Sequence, residues 1–360
     1  MCERCLLINI QAHYLFDFLA SYQRKVRSYN KELKLKKSFK ASSCRHCRKI
    51  ILALFYLLTC SSVFSQDDSL DNERLKQMVT LSEVVVRNNL DVAKFLQRIR
   101  NDTTFYKAFR TLHILGYTSL NDIRMMDKKG KAKASLHSKT IQHVQHGCRT
   151  METVQESTTG DIYDSKKNFN YYTAELYAGL FFTKDKVCGE DNIVKGIEHS
   201  IKSKSGIEKH KEQLKMLFFD PGKKIPGIPF IGNKINIFDP DVARYYDFTI
   251  DLADYNGLDC YVFTIRAKQD LSANEKDNIV IDNIITWFNS KTMEIVGRNY
   301  DISYDAGVYD FDVHMEVQMT HFGSYLVPRT LYYNGTWDMI FKKRERGVFT
   351  ATLFDFKKQD

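Results

Sequence analysis

From Tyr245 onward the chain repeats with a period of two, and that period decides the fold. Tyr246, Phe248, Ile250 and Leu252 alternate with Tyr245, Asp247, Thr249 and Asp251. Successive side chains of a strand point to opposite faces, so this alternation is a β-strand with one buried face. Asn256-Gly257 then turns the chain into "LDCYVFTIRA", and further strands are predicted at 279–288, 293–304, 308–322, 325–333, 336–343 and 347–356. Asn334-Gly335 reads as another two-residue hairpin turn, because such turns need positive φ at both central positions. "CYVFTI" and "IVIDNIITWF" are apolar on both faces, so both faces are covered. Together these strands form a long antiparallel meander that curls around something.

The helices upstream are the filling. Val92, Phe95, Leu96 and Ile99 recur at helical spacing behind Asn89 or Asp91 as caps. The pattern restarts after Asn101, with Asp102 as cap and Tyr106, Phe109 and Leu112 on one side. "SGIEKHKEQLKMLFF" (205–219) is a third helix, and "FNYYTAELYAGLFF" (169–182) fits helix or strand. Between them, 115–157 reads as two or three antiparallel strands with a Lys-Gly turn. The predicted fold class is α+β: a curved antiparallel sheet, half-barrel-like, wrapped over helices, in a single domain spanning 81–360. Residues 66–80 are polar and predicted to be a disordered linker; 80–89 is strand-like.

One segment breaks the regularity. Residues 220–241 hold four of the five prolines, Pro221, Pro226, Pro229 and Pro240. Proline removes donors and blocks helix, so a long loop is predicted. The loop also carries Ile225, Ile228, Phe230 and Ile231. Apolar loop residues either pack down or serve as contact surface.

The N-terminal part reads as an address rather than a fold. "RKIILALFYLLTCSSVFSQ" (48–66) has a positive start supplied by Arg45, Arg48 and Lys49, a short apolar run from Ile50 to Leu58, and small residues before a cut after Ser65. The run is too short to span a bilayer. Cys60 after "LLT" offers a lipoprotein variant. Residues 1–47 are an upstream extension, with "CERC" and "CRHC" as two C-x-x-C pairs lacking a zinc-ribbon pattern between them. The first 49 residues hold 12 Lys and Arg against 3 Asp and Glu, which accounts for the whole chain's +9. The rest carries 41 of each sign, so the basic balance gives no case for nucleic-acid binding. Cys148, Cys188 and Cys260 remain after the cut and allow one disulfide at most. The expected location is the periplasm or cell envelope, with no transmembrane span in the mature chain.

Two stretches carry chemistry-bearing side chains. "YDFDVHMEVQMTHF" puts Asp310, Asp312, His314, Glu316 and Gln318 on one strand face. Successive same-face residues lie about 6.6 Å apart, too far for all to share one ion, and a charged strand face is usually a solvated one. "HVQHGC" places His143 and His146 on opposite faces of a strand. Lys342, Lys343, Arg344, Glu345 and Arg346 read as a solvated strand end. No nucleophile elbow, phosphate loop or H-E-x-x-H motif occurs.

The signal, "LSEVVVRNN", the helix with "FLQRIRND", a first strand near Tyr117 and a meander ending in "YLVPRTLYYNG" resemble secreted proteins of unknown function from the Bacteroidota phylum. The meander with helices on its concave side also resembles the half-barrel of the lipoprotein carriers LolA and LolB. In those carriers the space between sheet and helices holds acyl chains. This chain adds a region around 115–200 and a longer proline-rich loop. The resemblance implies a non-enzymatic binder of lipid or a lipoprotein acyl chain, without cofactor or metal. The residues expected to touch such a ligand are Ile225, Ile228 and Phe230 in the loop, with Phe263 and Trp287 on the sheet. Two alternatives stand beside it. One is an interaction module of an envelope assembly with a filled core; the other is a metal-dependent enzyme using the Asp310–Glu316 face.

Overall fold

Seven strands follow one another as a hairpin-linked meander: β6 (Tyr246–Tyr255), β7 (Leu258–Ala267), β8 (Ile281–Asn289), β9 (Ile295–Asp305), β10 (Tyr309–Phe322), β11 (Tyr325–Met339) and β12 (Glu345–Lys357). The computed structural model describes residues 67–87, 90–194, 213, 215–225, 231–305, 309–339 and 344–358. They belong to the unit Gln66–Asp360. The leader, the signal, Ile228, Phe230 and most of the predicted helix at 205–219 lie outside the described residues; 215–219 is helical.

The meander is one part of an open, curved twelve-stranded sheet. Its last strand, β12, pairs antiparallel with β2 (Gly116–Met126), which leads through β3 (Ala132–Gln145) and β4 (Cys148–Thr159) to β5 (Val187–Cys188) at one edge. At the other edge β1 (Val79–Leu81) lies parallel to β6. The fold is therefore the α+β curved sheet that the alternation predicts, and the added region at 115–159 extends it.

Helices α3 (Val92–Asn101) and α4 (Thr104–Thr111) fill the sheet's inner face, in the segment where the spacing places them. Asp91 caps α3 by accepting from the Lys94 backbone N–H. Phe95 reaches Tyr261, Phe263 and Phe288, with ring centroids 5.3–6.1 Å apart. A single apolar cluster runs from these rings across Phe248, Val313 and Leu353. The proline-rich loop does pack down where it is described: Ile225, Ile231, Ile235 and Ile237 are all buried in that cluster.

Three local readings change. Residues 67–78 form a helix, α1 (Asp67–Met78), not a disordered linker. Its Leu75 enters the core cluster and Met78 packs against it, so apolar contacts near its C-terminal end tie an otherwise polar helix to the core. The strand-like patch at 80–89 is split: β1 ends at Leu81, and α2 (Glu83–Arg87) follows with Val85 buried and Val84 and Val86 exposed. Asn334-Gly335 is not a turn. β11 runs straight through it, with Asn334 opposite Val348 and His314, and Gly335 opposite Gly347 and Val313. Glycine in a strand marks close approach of another group; here the Tyr333 ring lies over Gly335, where a Cβ would come within 2.3 Å of its Oη.

A charged group is buried where α4 meets the sheet. Arg298 on β9 donates Nε–H to Thr286 Oγ1 at 3.0 Å, and its guanidinium lies 4.4 Å from the Phe105 ring centroid. Asp102 and Asp220 provide the negative charge around it. Lys223 donates to the Asp102 carbonyl and sits 3.6 Å from the Asp220 carboxylate. Burial pushes the Asp220 carboxyl up to about 6 despite Lys223 and Arg298.

Candidate functional site

The segment "YYTAELYAGLFF" settles as helix α5 (Tyr172–Phe181). It is apolar nearly all round, and such a helix belongs inside a protein. Thr173, Ala174, Tyr177, Ala178 and Phe181 are buried, yet Leu176 and Leu180 are only half-buried and Gly179 is exposed. Tyr177 holds the buried side: its ring stands 5.0 Å from Phe349 and its hydroxyl donates to the Thr350 carbonyl at 3.0 Å. Leu176 and Leu180 face a slot between α5, the helical turn 215–219 and the sheet.

The sheet floor of that slot is Met315, Leu331, Tyr333, Trp337 and Phe349. Phe218 and Phe219 form the wall opposite α5, and Lys215 is the one charged residue among the described lining groups. The aromatic floor is rigid. Tyr333 and Phe349 stack at 4.9 Å and 9° across β11 and β12. Trp337 donates its indole N–H to the Tyr333 hydroxyl at 2.6 Å, and Phe311 stacks on Trp337 at 5.0 Å. The wall is pinned from below, because the Tyr300 hydroxyl donates to the Phe218 carbonyl. The cavity has a volume of about 80 Å³. An engineered cavity of about 150 Å³ takes one benzene and stays dry when empty. The slot as it stands accommodates the end of an apolar chain, and a longer chain needs α5 or the wall to give way.

The residues singled out by sequence do not gather here. Ile225 and Phe263 are buried within the core and are each 1% exposed. Trp287 lies on the opposite face of the sheet, stacked 4.7 Å from Tyr255 and paired across the strands with Gly297 and Val262. Phe263 pairs with Thr286, one residue on, and one residue in a strand reverses the face. Ile228 and Phe230 are outside the described residues. The slot residues were missed because a floor position looks like any other core position in sequence. The one available signal was the low amphipathicity of 172–181 beside Leu176 and Leu180 at i, i+4.

The acidic stripe of β10 is where the alternation puts it. Phe311, Val313, Met315 and Val317 are buried, while Asp312, Glu316 and Gln318 are exposed. His314 is already engaged, with Nδ1 2.6 Å from Asp301 and Nε2 3.0 Å from Glu316. Burial opposes its charged form, but Glu316 and Asp301 win and raise its pKa. Among the described residues no group of three or more His, Cys, Asp or Glu is placed to hold a metal ion. Changing Asp310, Asp312, His314 or Glu316 singly to Ala is expected to alter stability by no more than about 0.5 kcal/mol. Urea melts at pH 7 check this, and a loss of several kcal/mol would show the stripe to be structural. His143 pairs with Glu152 at 3.6 Å on the exposed β3–β4 hairpin, and His146 sits in its turn at φ 53°.

Behind α5 the chain is tied down. Cys148 and Cys188 form a disulfide across β4 and β5, and Cys260 is free and buried. Arg149 reaches Glu190 at 2.5 Å and Thr183 Oγ1 at 2.5 Å, and Thr183 donates to Gln142 at 2.8 Å. Burial works against the Glu190 carboxylate, but His113 and Arg149 hold it down at about 2.

No family model matches the chain, and no curated protein matches it. Among solved structures it is similar to a DUF1329 family protein from Desulfovibrio piger, at 10% identity over 71% of this chain and 94% of that one, with a TM-score of 0.23. It is also similar to a putative outer membrane lipoprotein-sorting protein domain from Vibrio parahaemolyticus, at 9% identity over 74% and 91% of the two chains, with a TM-score of 0.26. A third similarity is to lipovitellin, at 9% identity over 68% of this chain and 25% of that one, with a TM-score of 0.21. Likeness at this level transfers neither ligand nor reaction.

Proposed function

We propose that this protein is a non-enzymatic, exported binder of an apolar chain, a lipid or lipoprotein acyl group, held between α5 and the aromatic floor of the sheet. The observation that carries the reading is the slot itself: a preformed apolar opening whose rim, Leu176 and Leu180, is half-exposed on a helix without a polar face. Small-molecule sites are concave and mostly apolar, and usually largely formed in advance. Export to the periplasm or envelope rests on the signal-like stretch ending at Ser65. The Cys148–Cys188 bond supports it, since disulfides persist in oxidising compartments. Among the described residues no helix is long and apolar enough to cross a membrane.

The slot's small volume favours a second reading, an envelope interaction module whose core is closed and whose α5 rim meets a partner protein. Mass spectrometry of an organic extract of the protein, purified from its own envelope, separates the two. The ligand reading expects a single-chain lipid at about one per protein. A lipid-free protein that co-purifies with another envelope protein would favour the closed module.

A further inference from the structure

Helix α5 lacks a cap of its own. Its N-cap residue, Tyr171, makes no side-chain cap bond, and the first backbone N–H groups of a helix have no partner within it. A residue 173 positions away supplies one. The Glu345 carboxylate at the start of β12 accepts from the Tyr172 N–H at 3.0 Å, the Thr173 N–H at 2.8 Å and the Thr173 hydroxyl at 2.5 Å. A negative charge there also meets the positive end of the helix dipole.

The two ends of α5 are held by different means. Beyond its last turn stand the disulfide and the Arg149–Glu190–Thr183 network. Tyr117 adds a hydroxyl bond to the Phe181 carbonyl at 3.4 Å. At the first turn the Glu345 carboxylate takes the leading N–H groups, Thr173 and Ala174 are buried, and Tyr171 just outside is tied to Asp161 and covered by Lys133. Thr173 and Leu176, in that first turn, line the slot.

We propose that Glu345 is the latch of the slot: when its carboxylate lets go, residues 172–176 unwind from the sheet and open the cavity, while residues 177–183 stay anchored. This rests on the slot being a ligand site, and it supplies the movement that an 80 Å³ cavity needs to admit a longer chain.

The test is amide hydrogen exchange on the full chain, comparing wild type with Glu345→Ala. Bonds to a charged acceptor are strong enough that exchange at 173–176 should rise roughly ten- to hundredfold, with residues 181–183 unchanged. Glu345→Gln keeps one acceptor oxygen and should fall between, and it serves if the Ala variant does not fold. The uncharged dye phenylnaphthylamine should enter the Ala variant faster than wild type. Unchanged exchange at 173–176, or an equal rise at both ends of α5, would overturn the latch. If neither protein takes up dye but exchange rises only at the first turn, the latch stands and the ligand reading falls.

Discussion

Arg298→Ala should cost about 3 kcal/mol at pH 8, because it removes a buried charged hydrogen bond to Thr286, the packing over Phe105 and a positive charge near Asp220. For a domain of this size that lowers the melting midpoint by roughly ten degrees. Asp220 is only 9% exposed. Its pKa is raised from the ordinary carboxylate value to about 6, so the folded state binds its proton more tightly than the unfolded chain. A raised carboxyl costs stability as pH climbs from about 4 through 6, because above that range the folded protein must hold the charge. Arg298 and Lys223 share the compensation. Without Arg298 the Asp220 pKa rises further, and the penalty grows with pH. The loss should therefore be smaller at pH 5, where Asp220 can protonate, than at pH 8. Asp220→Asn in the Arg298→Ala background should recover part of the pH 8 loss. Equal losses at the two pH values would show that Arg298 contributes packing over Phe105 alone.

Gly335→Val should both destabilise the protein and close the slot. A Cβ at this position meets Tyr333 Oη at 2.3 Å and Cζ at 2.5 Å. The ring cannot swing aside freely, because Phe349 stacks on it and Phe218 and Trp337 border it. Overpacking of this kind typically costs about 1–3 kcal/mol. The route that remains for the ring is toward Phe218 and the cavity. Denaturant melts and dye binding on the same sample should show a lower midpoint together with weaker uptake. A destabilised variant that binds dye as well as wild type would mean that the ring moved elsewhere and that the floor does not shape the site.

The sheet was legible because a period of two needs no tertiary information. The strands from Tyr246 to Phe356 fall within a few residues of where the alternation ends and restarts; α3 follows from Val92, Phe95, Leu96 and Ile99, and α4 from Tyr106, Phe109 and Leu112. What failed was what depends on distant partners. Gly335 looks like a turn until Tyr333 and Gly347 are placed around it. Glu345 reads as one more charge in "KKRER", and only the fold brings it to the end of α5. Leu75 in a polar run gives no sign that it reaches a core. Phe263 and Trp287 are both large and apolar, and sequence ranks them alike. Strand parity then buries one within the core and sends the other to the far face.

The most direct measurement is phenylnaphthylamine binding to wild type and to Leu176→Trp. The half-buried Leu176 borders the slot, so an indole there fills the cavity without disturbing the core beneath. The expected result is saturable binding to wild type at one site, at least about tenfold weaker in the variant, a difference of roughly 1.4 kcal/mol. The variant's melting midpoint should be unchanged or higher. Equal binding to both proteins would place any apolar site elsewhere, and no binding to either would contradict a ligand slot under α5.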